Sequence, residues 1–276
     1  MIKHISDCTI LNNGVKMPWL GLGVYQAAEG EEVERVVTTA LRTGYRSIDT
    51  ASLYGNEQGV GKAIQKSSIP REQTFVTTKV WNTEQGYEST LASFESSRKK
   101  MGLEIIDLYL IHWPVKDKYK ETWRALEKLY KEGWVRAIGV SNFHIHHLTD
   151  LMADCAVIPA VNQVEYHPRL TQVNLQHFCK QHHIQLEAWS PLMQGKSLDH
   201  PTLVELGRKH GKSSVQIILR WDIQKGVVTI PKSVNEERIQ SNADIFDFDL
   251  STEDIAQLDA MNRNERTGQN PDNFEF

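Results

Sequence analysis

Apolar residues along this chain fall into short runs separated by polar loops, and between the runs lie longer stretches with apolar positions every three or four residues. The short runs occupy residues 20–24, 47–49, 75–79, 107–112, 135–140, 160–163, 186–189 and 227–230. Helical stretches include residues 31–43, 85–101, 119–132 and 175–182. In the first of these Val33, Val36, Val37, Ala40 and Leu41 share one helix face, and Trp123, Leu126, Leu129 and Tyr130 repeat the pattern. Strands that alternate with helices predict parallel pairing through right-handed crossovers. Eight such units in about 250 residues predict a single (β/α)8 TIM barrel spanning residues 1–276, with extra helices near the C-terminus. An N-terminal β-hairpin precedes it. Residues 9–11 and 15–17 would be its strands, with Asn13 and Gly14 supplying the two positive φ angles of a tight turn. Only residues 264–276 read as irregular.

The rival architecture is an open doubly wound sheet. For a dinucleotide it calls for a G-x-G-x-x-G turn. Gly21-Leu22-Gly23-Val24-Tyr25-Gln26 lacks the third glycine, and Gly55, Gly59 and Gly61 have the wrong spacing.

Polar residues close the apolar runs. Asp49 ends the second, Lys79 the third, His112 the fourth, Ser141-Asn142 the fifth, Gln163 the sixth and Ser190 the seventh; Lys232-Ser233 follow the eighth. In a parallel barrel these ends meet on one face, where barrel enzymes carry their chemistry. Asp, Lys and His are costly at a partly buried barrel mouth unless they serve there. Asp49, Tyr54, Lys79 and His112 form a coherent acid–base set. A free tyrosine has a pKa of about 10, too high to release a proton readily. The Lys79 ammonium would lower it, Asp49 would hold Lys79 charged, and His112 would orient a carbonyl oxygen. No G-x-S-x-G elbow points to a serine hydrolase.

The segment Ile230-Pro231-Lys232-Ser233-Val234-Asn235, with Arg238 close behind, opens a helix after the eighth run. It suits a phosphorylated ligand, since barrels often bind phosphate at the loops after strands seven and eight. Tyr25, Trp81, Trp113 and Trp189 lie beside the same strand ends and are candidates to stack on a heterocycle or wall a pocket. His144, His146 and His147 form an H-x-H-H group after the fifth run. A barrel hydrolase would carry such ligands after its first strand, so this group reads as a solvated helix N-terminus and no metal is expected. Cys8, Cys155 and Cys179 are scattered and read as reduced thiols. The net charge of -4 gives no basic footprint for nucleic acid or membrane. No apolar run approaches a membrane span or a signal-peptide core, so the expected location is the cytoplasm.

Several motifs together resemble the aldo-keto reductases: Gly44-Tyr45-Arg46-Ser47-Ile48-Asp49-Thr50-Ala51 with Tyr54-Gly55-Asn56-Glu57 and Gly61, Asp107-Leu108-Tyr109-Leu110-Ile111-His112-Trp113-Pro114, Gly139-Val140-Ser141-Asn142-Phe143, Asn162-Gln163-Val164-Glu165, and Ile230-Pro231-Lys232-Ser233. The resemblance covers almost the whole chain. It is strongest to bacterial glyoxal, methylglyoxal and 2,5-diketogluconate reductases, through Ala188-Trp189-Ser190-Pro191-Leu192 and Phe246-Asp247-Phe248-Asp249-Leu250. It implies NADPH-dependent reduction of aldehydes and ketones by a tetrad of Asp49, Tyr54, Lys79 and His112. It further implies that Ser141, Asn142 and Gln163 hold the nicotinamide carboxamide, that Trp189 stacks on the ring, and that Ser190 and Leu192 follow the pyrophosphate. Lys232, Ser233, Val234, Arg238 and Asn242 would hold the adenosine 2′-phosphate end. Tyr25, Trp81, His112 and Trp113 would line the substrate pocket. Tyr25 stands where several animal members have tryptophan, and Ser241 where many have glutamate. A small-molecule carbonyl substrate and a monomer are expected. The alternative in this family is a cofactor-sensing subunit with little turnover.

Overall fold

A computed structural model of the chain describes residues 2–274. The chain opens with strands β1 (Cys8–Ile10) and β2 (Lys16–Pro18), paired antiparallel. Eight parallel strands follow with their helices: β3 (Gly21–Gly23), α1 (Glu31–Thr43), β4 (Ser47–Asp49), α2 (Glu57–Lys66), β5 (Phe75–Val80), α3 (Tyr87–Met101), β6 (Ile106–Ile111) and α4 (Tyr119–Lys131). They continue with β7 (Val135–Ser141), α5 (Ile145–Met152), β8 (Val161–Glu165), α6 (Val173–Gln181), β9 (Gln185–Trp189), α7 (Pro201–His210), α8 (Ser214–Gln224) and β10 (Val228–Thr229). Helices α9 (Glu236–Ala243) and α10 (Thr252–Asp259) complete the order.

The strands lie side by side in chain order from β3 to β10. Parallel bridges from Leu20 to Thr229 and from Gly23 to Lys232 bring the two edges together. Two backbone bonds support this closure, Thr229 N to the Trp19 carbonyl at 3.0 Å and Gly23 N to the Pro231 carbonyl at 3.2 Å. Pro231 has no N–H to offer, so the last strand stops early. This is the expected (β/α)8 barrel, and the paired helices α7 and α8 between β9 and β10 are its main elaboration.

The amphipathic faces read from spacing are the faces buried. Helix α1 buries Val33, Val36, Val37, Ala40 and Leu41 against the barrel. Full burial of each large aliphatic side chain contributes about 1.5–3 kcal/mol. Helices α2 and α3 approach so closely at Gly61 that a Cβ there would lie 2.0 Å from the Met101 carbonyl oxygen, so only glycine fits.

The hairpin plugs the N-terminal end of the barrel. Its Leu11 and Met17 cluster with Phe75, Leu108, Leu110, Ala137, Ala160, Val161 and Val228 from the strands. Its turn differs from the expected one. Gly14 alone has positive φ, at 86°, and its N–H bonds the Leu11 carbonyl at 2.9 Å. Asn13 instead spends its side chain, donating to the Arg136 carbonyl at 2.9 Å and accepting from Val15 N at 3.2 Å. Leu11 N bonds the Val15 carbonyl at 2.9 Å, so the loop proper is residues 12–14, and its one left-handed glycine serves the strands as well as a two-residue turn. Among the described residues, no helix is long and apolar enough to cross a membrane.

Candidate active site

Asp49 is the last residue of β4 and Lys79 the next to last of β5, so both reach the C-terminal mouth, and both are buried. Lys79 Nζ donates to Asp49 Oδ1 at 2.6 Å, to the Thr50 carbonyl at 2.9 Å and to the Tyr54 hydroxyl at 3.5 Å. Tyr54 sits at the end of a short 3-10 turn, Ser52–Tyr54, closed by Gly55 at φ 68°. Asn56 ties this turn to its surroundings. It accepts from the Thr50 hydroxyl at 2.7 Å and donates to the carbonyls of Val24 and Ala27 at 2.9 and 3.0 Å. Glu84 fixes the other side, taking hydrogen bonds from Ser52 Oγ at 2.7 Å and Trp81 N at 3.2 Å.

His112 follows β6 and lies edge-on to Tyr54, ring centroids 5.8 Å apart, and edge-on to Trp81 at 5.0 Å. Burial, then the Lys79 charge, holds His112 well below the usual histidine range, so the ring is neutral. Its Nδ1 is buried without a hydrogen-bond partner. Burial pushes the Tyr54 hydroxyl above its ordinary value; the Lys79 ammonium pulls it down without overcoming burial. The lowered pKa expected from Lys79 is therefore not the net effect, because desolvation of the phenolate outweighs one paired ammonium. Lys79 itself is held above its usual range. Burial lowers it, and Asp49 first, then Tyr54 and Glu187, more than restore it.

The side chains expected to face a cofactor divide by their bonding. Asn142, at the left-handed φ of 65°, is fully engaged. Its Nδ2 donates to the His112 carbonyl at 3.0 Å and to Ser141 Oγ at 3.2 Å, and its Oδ1 accepts from Trp189 Nε1 at 2.8 Å. Ser141 Oγ donates to the Gln163 carbonyl at 2.8 Å. Gln163 differs: its Nε2 donates to Asp49 Oδ2 at 2.8 Å and Glu187 Oε2 at 2.7 Å, which leaves Oε1 unused. Trp189 and Ser190, half-buried, stand at the end of β9, Ser190 with φ 51°, and Leu192 follows against the core.

After β10, Lys232 and Arg238 are exposed, Ser233 and Asn242 are buried, and Val234 lies between these extremes. Asn235 caps α9 by accepting from Arg238 N at 2.9 Å, and Ser241 is exposed on that helix. Among the described residues, no carboxylate pairs with Lys232 or Arg238, while Arg35 takes Glu236 at 3.2 Å. The aromatic wall is present. Tyr25, half exposed, packs against Tyr54 with centroids 4.9 Å apart, and Trp113 is buried beside His112.

The C-terminal segment was expected to be irregular, and through residue 274 it is, but it is anchored; residues 275 and 276 lie outside the described residues. Glu165 accepts from Thr267 Oγ1 at 2.6 Å and Gly268 N at 3.3 Å. A Cβ on Gly268 would lie 2.4 Å from the Trp189 ring, so the backbone there lies directly against it. Phe274 stacks on Trp113 at 4.3 Å. The His144, His146 and His147 group meets Asp272 of this segment, all potential ligand atoms lying within 4.8 Å of one another. The hydrogens decide what this cluster does. Arg266 Nη2, which can only donate, is 3.0 Å from His144 Nε2, so the His144 proton sits on Nδ1 and points at Asp272 Oδ1, 2.9 Å away. His147 Nδ1 accepts the His144 amide at 3.1 Å, leaving an N–H on Nε2 towards the same oxygen. His144 thus donates to the carboxylate, and His147 carries its N–H on Nε2, 3.9 Å from the same oxygen, where a cation would need lone pairs. The group does open α5, with His144 at its N-cap and His146 exposed, and it also clamps the C-terminal segment.

Comparison with known proteins rests on this geometry. Residues 19–263 match the Aldo/keto reductase family. The chain belongs to that family. It is 59% identical over its whole length to a glyoxal reductase of Bacillus subtilis, which it also covers in full. Among solved structures it resembles MGS-M4, an aldo-keto reductase from a Medee basin deep-sea metagenome library (TM-score 0.95, 48% identity, 97% of this chain and all of that one). It also resembles a variant of Gox0644 solved in complex with NADPH (TM-score 0.93, 41% identity, 98% of each chain). The chain is thus an oxidoreductase of the aldo/keto reductase family.

In this reductase the residues overlooked by sequence reading are Glu84, Glu165 and Glu187. Glu165 falls inside a matched motif, which was its only signal. Glu84 and Glu187 sit among polar and alternating positions that look ordinary until the barrel closes around them.

Proposed function

We propose that the protein reduces small aldehydes and ketones with NADPH, α-dicarbonyls such as glyoxal and methylglyoxal or keto sugars being the favoured substrates, and that Tyr54 delivers the proton. The carrying observation is the Lys79 ammonium, held by Asp49 at 2.6 Å and facing the Tyr54 hydroxyl at 3.5 Å, with Lys79 and Asp49 both buried at the strand ends. The glyoxal reductase likeness favours the dicarbonyl class.

The residues present fit the cofactor. Gln163 offers the free acceptor Oε1 to a carboxamide, with Ser141 and Asn142 beside it; Trp189 offers a ring held by Asn142; Lys232, Ser233 and Arg238 gather donors for a phosphate at the start of α9. When bound, the reduced nicotinamide supplies the hydride that the carbonyl carbon accepts. Tyr54 donates its O–H proton to the carbonyl oxygen as negative charge develops there. Lys79 stabilises the phenolate left behind, and Asp49 keeps Lys79 charged. Neutral His112 orients the carbonyl oxygen without competing as an acid. Tyr25, Trp81 and Trp113 shield the carbonyl from water.

Tyr54→Phe tests the assignment. The variant should bind NADPH, measured by fluorescence titration, and lose glyoxal reduction by at least about 10²-fold. Full turnover in Tyr54→Phe would overturn the proton-donor role. NADPH binding by the native protein with negligible turnover would point to a cofactor-binding subunit instead.

A further inference from the structure

Behind the four proposed catalytic residues lies a fifth polar side chain that they do not use. Glu187, in the middle of β9, points into the barrel and is fully buried. Its Oε2 accepts from Gln163 Nε2 at 2.7 Å, and its Oε1 has no hydrogen-bond partner among the described residues. The same Gln163 nitrogen donates to Asp49 Oδ2 at 2.8 Å. One amide thus bridges two buried carboxyl groups, with a single ammonium nearby. Asp49 from β4 and Lys79 from β5 are the charged groups that act on Glu187. Gln163 from β8 is neutral, and β10, whose Val228 pairs with Glu187, carries no titratable side chain.

Counting charges decides the state of this trio. Two anions and one cation in a buried interior leave one charge unpaired, at a cost of several kcal/mol. Asp49 holds the direct bond to Lys79 and takes the negative charge. Glu187 makes no contact with Lys79, so the proton falls to Glu187. Burial, with Asp49 adding to it, pushes the Glu187 carboxyl up to about 8.

We propose that Glu187 is a positioning residue that works as a neutral acid: it shares Gln163 Nε2 with Asp49, so that Gln163 Oε1 faces the cofactor side, and it leaves the Lys79 charge to Asp49 and Tyr54 alone. This rests on the proton-donor reading of Tyr54. When Glu187 loses its proton, a second anion faces Lys79, the phenolate of Tyr54 is less well stabilised, and Tyr54 becomes a weaker acid. Reduction then slows on the alkaline side, at a pH below that of Tyr54 itself.

The test is kcat for glyoxal reduction at saturating NADPH, from pH 6 to pH 10, in the native protein and in Glu187→Gln. The native profile should fall severalfold with an inflection near pH 8. Glutamine keeps the shape and the acceptor but cannot ionise, so that inflection should vanish and the fall should move to higher pH. Superimposable profiles would overturn the proposal. Infrared difference spectra provide a readout independent of turnover. At pH 7 the native protein should show a protonated carboxyl band that titrates near pH 8 and is missing in Glu187→Gln, against the separate band of buried Asp222, also held above its usual range. A native spectrum without that titrating band would equally overturn it. Turnover retained in Tyr54→Phe would instead sink the proton-donor reading and leave the infrared result standing.

Discussion

Lys79 and Asp49 show how one pair can carry both stability and chemistry. Both side chains are buried, and each is the other's ion-pair partner. Lys79→Met should lose kcat by about 10²–10⁴-fold, as removal of an acid-catalysis partner does. It should also destabilise the fold by about 3–5 kcal/mol, because Asp49 is left as a buried unpaired anion. The two effects separate in a double variant. Lys79→Met with Asp49→Asn should recover part of the urea midpoint and none of the activity; a single variant as stable as the native protein would contradict the pairing. At this scale the sequence was legible wherever a polar residue ended an apolar run. Asp49, Lys79, His112 and Gln163 were visible that way, since each breaks a pattern. Glu187 was not, because a glutamate between Leu186 and Ala188 reads as the outward position of an alternating strand. Only closure of the barrel turns that position inward. The state of Tyr54 was also beyond the sequence, because it depends on how much water the neighbouring rings exclude.

Elements with strong periodicity were read nearly to the residue, α1 and β4 among them. Elements with mixed composition, such as α2 with its two glycines, showed no apolar stripe wide enough to name. Helix α10 carries a cap whose chemistry is testable. Ser251 Oγ accepts from Asp254 N at 3.2 Å, and Asp254 Oδ2 accepts from Ser251 N at 3.1 Å, a reciprocal capping box. Lys209 and His210 add hydrogen bonds to the same carboxylate at 2.7 and 2.8 Å. Burial would raise the Asp254 carboxyl, and these partners outweigh it, bringing it down to about 2. A depressed folded-state pKa means that the stability is present above the ordinary value of about 3.9 and is lost as pH falls through about 2. Asp254→Asn should cost about 1 kcal/mol at pH 7 and flatten the fall in urea midpoint between pH 4 and pH 2. An unchanged acid slope would show that this cap contributes nothing to acid stability.

Over the whole molecule, the proposed site crosses the barrel mouth. The acid–base residues come from β4 to β6, the amide and ring from β7 to β9, and the cations from the start of α9 after β10. No glycine-rich turn is needed for such a layout, since an extended ligand reaches each group from a different strand end. The chemistry and the phosphate grip are therefore separable, and a cation at the far end can change cofactor choice without touching turnover. Arg238 and Lys232 are the cations at that end, and both lack carboxylate partners among the described residues, so their charge is available to a phosphate. A charge-assisted hydrogen bond to phosphate contributes about 1.5–3 kcal/mol. Arg238→Ala should therefore raise the Kd for NADPH by about 10- to 100-fold. NADH, which lacks the 2′-phosphate, should bind within about twofold of its native affinity, because Arg238 has nothing else to hold. The kcat at saturating NADPH should stay near the native value, since Arg238 is exposed on α9, outside the strand ends that carry Tyr54 and Lys79. Raising the salt should weaken NADPH binding to the native protein more than to the variant, as screening acts on the charge that remains. Fluorescence titrations with both cofactors at two ionic strengths check each of these. Equal weakening of NADH and NADPH would mean that Arg238 supports the fold of α9 and does not select the phosphate.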